Sequence, residues 1–98
     1  MAIRHIVTFT FVEDATDEQK NAITTALKGL PELIPEIKAF TCGLDAGLSP
    51  GNAQYGLVAD FENEADFRTY AKHPEHQKVI AENIKPILAT RVAVQLSL

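Results

Sequence analysis

The sequence has one cysteine, one methionine and no tryptophan in 98 residues. A lone Cys42 excludes an internal disulfide and suits a reducing compartment; it reads as a small core residue. Basic residues are the minority, and the net charge is −4. That balance opposes nucleic acid or an anionic membrane as a partner, because both select basic surfaces. No apolar run is long enough to cross a bilayer. The opening Met1-Ala2-Ile3-Arg4-His5 lacks a basic segment followed by an apolar stretch, so no signal peptide is expected there. Repeats, low-complexity segments and linkers are also missing. The expectation is one cytoplasmic domain over residues 1–98, with the 46% hydrophobic content of an ordinary soluble globule.

What is present alternates between strand and helix patterns. From Ile3 to Val12, the residues Ile3, His5, Val7, Phe9 and Phe11 share one face, which reads as a strand with one apolar side. Thr16 with Gln19 forms a capping box ahead of a helix carrying Ile23, Ala26, Leu27 and Leu30 at helical spacing. Gly29 and Pro31 end that helix, and 31–36 reads as a connector. Ile37 to Leu44 and Tyr55 to Phe61 read as strands, separated by a loop containing Gly47, Pro50 and Gly51. Asn63 caps a helix whose inner stripe is Phe67, Tyr70 and Ala71. Pro74 must break it near Lys72 and restart it, with Val79, Ile80, Ile84 and Ile87 inside. Pro86 kinks or ends that second piece. Thr90 to Leu98 is the last strand; its Thr90, Val92, Val94 and Leu96 side is expected to meet the helices, and Arg91, Ala93 and Gln95 to face away. The order βαββαβ predicts an α+β, ferredoxin-like fold: a four-stranded antiparallel sheet with helices on one face.

The break at Tyr70-Ala71-Lys72-His73-Pro74-Glu75-His76 concentrates the chemistry. It sets a phenol and an imidazole on neighbouring backbone segments. His76 would be the third residue of the new helix, where the positive helix end favours a neutral ring. Such a ring can act as a base near neutral pH, and Tyr70 can donate to an oxyanion. His5 would be a polar anchor on the pocket floor. Each has a plainer reading as well: Tyr70 as a core aromatic, His76 as a cap on the corner, His5 as a satisfied core histidine. His73 suits a backbone hydrogen bond that orders the break. No carboxylate or thiol completes a metal-binding pattern around the histidines, and no loop carries a phosphate-cradling motif. Neither a metal nor another cofactor is expected.

The chain resembles the stress-responsive α/β-barrel family along nearly its whole length. The resemblance runs from His5 through Leu30, Leu33-Ile34-Pro35, Lys38, Gly43, Asp45, Tyr55 and Phe61 to the Tyr-x-x-His-Pro-x-His signature at 70–76. It implies a homodimeric α/β barrel, formed by two subunits packing sheet against sheet, with a pocket between sheet and helices in each. A plant member, olivetolic acid cyclase, closes a linear polyketide by aldol condensation with the tyrosine and second histidine of that signature. Carried over, the catalytic pair is Tyr70 and His76. His5, Val7, Phe9, Ile23, Leu27, Phe67 and His73 then become the substrate-binding set. Ile23, Thr24 and Leu27 stand where the cyclase is aromatic, which implies a pocket of different shape. Two functions follow: a dimeric stress-response domain that binds a hydrophobic small molecule in an apolar pocket, with acid–base chemistry on a carbonyl compound open to it but not required, or a lyase or polyketide-cyclase-like enzyme using Tyr70 and His76.

Overall fold

The computed structural model describes residues 1–98. Strand β1 (Ile3–Phe11) buries His5, Val7, Phe9 and Phe11 on one face, as its alternation requires. Thr16 then caps α1 (Asp17–Lys28): its hydroxyl accepts from the Gln19 N–H, and its own N–H donates to the Gln19 side chain. Two helix-end donors are thereby satisfied reciprocally. Residues 30–33 differ from the connector expected. They form one helical turn, α2 (Leu30–Leu33), in which Pro31 sits where its missing N–H costs nothing. The turn drives Leu30 and Ile34 into the core.

Strands β2 (Ile37–Leu44) and β3 (Tyr55–Phe61) pair antiparallel across the loop, closed by Asp45 N–H donating to the Gln54 carbonyl. Gly47 and Gly51 take φ of 75° and 81°, the region where a side chain is strained. Asn63 caps α3 (Glu64–Lys72), and α4 (Pro74–Val79) starts at the proline. The chain then widens into a single π turn, Ile80–Ile84, and tightens into a 3₁₀ turn, Lys85–Ile87, containing Pro86. Strand β4 (Leu88–Ser97) begins two residues earlier than expected.

The sheet order is β2-β3-β1-β4, antiparallel throughout, with helices on one face only: a ferredoxin-like α+β fold. The helices pack over β1, β2 and β3, and β4 forms an edge. The expected orientation of β4 is reversed. Arg91, Ala93 and Gln95 pair with Phe9, Val7 and His5, so they share the helix-side face. Val92, Val94 and Leu96 pair with Thr8, Ile6 and Arg4 and point away, 68%, 49% and 43% exposed. Assigning the more apolar side to the helices fails here because pairing with β1, and not the strand's own composition, sets the facing of β4. The outer face also carries the pair formed by Arg4 and Asp60, cross-strand neighbours 2.8 and 2.9 Å apart through two hydrogen bonds. No helix is long and apolar enough to cross a membrane.

Candidate functional site

The proline break does place Tyr70 and His76 together. Their ring centroids are 4.1 Å apart, and the His5 ring lies 6.0 Å from that of Tyr70. All three line one cavity of about 140 Å³ between the sheet and the π turn. Val7, Phe9, Leu27 and Leu57 supply apolar wall, joined by Ile80 and Ile84 from the π turn. The extra residue in a π turn re-aims side chains relative to an α-helix, and such turns recur at functional sites.

His73 holds the corner. It closes α3, with its N–H donating to the Tyr70 carbonyl, and opens α4, with its Nδ1 accepting from the Glu75 N–H at 3.1 Å. It does not line the cavity. Ile23 and Phe67 do not line it either. Ile23 is fully buried in the core, and Phe67 packs edge-on to Phe61 and 5.1 Å from the His5 ring. Of these three residues expected at the pocket, Phe67 backs it through the His5 ring, while Ile23 belongs to the core and His73 to the corner.

The protonation states follow from the contacts. The Ala71 carbonyl lies 3.3 Å from His76 Nδ1 and can only accept, so Nδ1 carries the hydrogen and the neutral ring keeps its lone pair on Nε2. Burial lowers the His76 pKa below its ordinary value. The Ala71 hydrogen bond opposes this, and the charge of Arg91 adds to the lowering. The sequence reading assigns the neutral ring to the helix end; the leading cause of the lowering is burial. His5, 5% exposed, is lowered to about 4, first by burial and then by the charges of Arg91 and His76. Its Nδ1 lies 2.9 Å from the Gln95 amide nitrogen, so as placed it accepts from Gln95. Tyr70 is 1% exposed, and burial raises its pKa far above neutral, so its hydroxyl keeps its proton.

Three polar residues at the cavity escaped the sequence reading: Arg91, Lys85 and, behind His5, Gln95. Arg91 and Gln95 were missed together, because both depend on which face of β4 turns inward. The register with β1 settles that face, and a strand's own composition does not. Lys85 follows the π turn, which no periodicity signals.

Residues 3–98 match the sequence model of the stress responsive A/B barrel domain. The chain belongs to that family. Among its relatives is a stress-response A/B barrel domain-containing protein of Arabidopsis thaliana, 29% identical over 92 residues. That stretch is 94% of this chain and 35% of the Arabidopsis protein, so the chain spans about a third of its relative's length. A dimeric ferredoxin-like protein of unknown function from Thermobifida fusca superposes with a TM-score of 0.93 at 45% identity, covering 100% of this chain and 92% of that one. The hydroxynitrile lyase of Passiflora edulis shares the fold at 21% identity, with a TM-score of 0.84 over 97% of this chain and 91% of its own.

Proposed function

We propose that this A/B barrel protein is a cytoplasmic homodimer, joined through the outer sheet faces, whose subunits bind a small hydrophobic carbonyl compound and act on it by cofactor-independent acid–base chemistry of the lyase class. The observation that carries this reading is the meeting of the Tyr70 and His76 rings at 4.1 Å over one apolar cavity. In this reading His76 Nε2 removes a proton next to the carbonyl, and the Tyr70 hydroxyl donates to the oxygen as charge builds there. Their states suit the roles: an imidazole held neutral and a phenol held protonated. Size narrows the substrate. A cavity of about 140 Å³ resembles the roughly 150 Å³ apolar hole that accepts one benzene ring. It falls short of the roughly 300 Å³ or more usual for larger ligands, which favours a one-ring compound over an extended polyketide.

The test is solvent deuterium exchange at the methyl carbon of acetophenone, followed by NMR. Wild type should accelerate exchange. His76→Gln should lower the rate by about 10²-fold or more, and Tyr70→Phe by about 10²-fold. Equal rates for wild type and His76→Gln would remove the assigned base.

A further inference from the structure

Charge is distributed unevenly around the cavity. The chain has 13 acidic and 9 basic residues. Yet none of the twelve cavity-lining residues is Asp or Glu, while Arg91 and Lys85 both line it. The chain's ion pairs are Arg4–Asp60, Lys38–Glu62 and Arg68–Glu64, so neither cavity cation is matched by a carboxylate of the protein. Both residues are exposed overall, which sets them at the rim with the apolar wall beneath.

The orientation of β4 brings Arg91 to the cavity side. Here Val92 and Val94 point out, and Arg91, paired with Phe9, points to the helix side. From there its charge acts on His5, Tyr70 and His76 together. A guanidinium in this position offers a planar fork of donors matched to a carboxylate.

We propose that Arg91, with Lys85 beside the same cavity, anchors a carboxylate of the ligand, so that the ligand class is a small oxo acid. Its apolar group, up to one ring, fills the cavity, and its carboxylate stays at the rim. The carbonyl between them is placed by the acid–base reading above, on which this inference rests; the anion preference stands on the cations alone.

The experiment is calorimetric titration of phenylpyruvate and its primary amide, a neutral analogue of equal size, into wild type, Arg91→Gln and Lys85→Gln. Wild type should bind the acid at least about tenfold tighter than the amide, as a charge-assisted pair gives. Arg91→Gln should bring the acid down to the level of the amide and leave the amide unchanged. Lys85→Gln should weaken the acid alone, by a smaller factor. Equal binding of acid and amide to wild type overturns the inference, as does an Arg91→Gln loss shared by both ligands. Amide binding without acid binding overturns it and keeps the cavity reading; no binding of either removes both. Arg91-dependent acid binding in a protein without His76-dependent exchange supports the carboxylate anchor and removes only the catalytic roles.

Discussion

At the scale of single residues, the cavity histidines couple stability to pH. His5 has a folded pKa of about 4 against an ordinary 6.5. Between these values the unfolded chain holds a proton that the native chain refuses, so the stabilisation is whole above pH 6.5 and is lost as pH falls toward 4. His76 is shifted in the same direction and adds to the loss. For His5 the shift corresponds to an upper figure of about 3 kcal/mol, less whatever water reaches the ring. Urea unfolding at pH 7.0 and 4.5 should therefore show a marked fall in midpoint for wild type. His5→Leu should show a smaller fall, because its site has no proton to take up. An unchanged pH slope in that variant would mean that His5 is not the sensor. The same residue marks what could be seen beforehand. A histidine amid Val7, Phe9 and Phe11 is conspicuous in the sequence, but its partner Gln95 lies ninety positions away on a strand whose facing had to be learned from the register.

At the scale of elements, the caps explain why helices begin where they do. Thr16 and Gln19 satisfy each other across the first turn of α1, and Asp17 and Glu18 add charge of the sign its N-terminus prefers. Thr16→Ala should cost about 1 kcal/mol, read as a lower urea midpoint with an unchanged slope, while Thr25→Ala on the exposed side of α1 should cost well under that. A Thr16→Ala midpoint equal to wild type would refute the cap's role. Such local signals are why β1, α1, β2, β3 and the break at His73-Pro74 could be read from the sequence alone: each is written in neighbouring residues. The π turn and β4 were harder for the opposite reason. A π turn has no spacing signature distinct from the α-helix that precedes it. β4 takes its facing from β1, where Ile6 pairs with Val94 and Phe9 with Arg91. Because that facing decides which polar groups reach the cavity, Arg91 stayed hidden until the register was known.

At the scale of the whole molecule, the outer sheet face is the feature the single chain does not explain. Val58, Ile6 and Val94 form a row across β3, β1 and β4, with Val92 and Leu96 on either side of Val94. A stripe of exposed valine and leucine on a continuous sheet is costly in water and marks a surface that meets another protein. The proposed occupant is a second copy, since the Thermobifida fusca relative at 45% identity is dimeric and this face is the one free of helices. The Arg4–Asp60 pair fits the same picture, because it brings a charge and its counter-charge together, already satisfied, on the face proposed to be covered. Val94→Lys would put an unpaired ammonium within the proposed interface, costing about 2 kcal/mol or more, or about thirtyfold in the dissociation constant. Sedimentation velocity across a dilution series should find wild type dimeric and Val94→Lys shifted to monomer at the same concentrations. Lys28→Glu, on α1 and away from the sheet, should sediment like wild type. If Val94→Lys stays dimeric with wild-type affinity, the subunits do not meet through β4's outer valines, and another surface must join them.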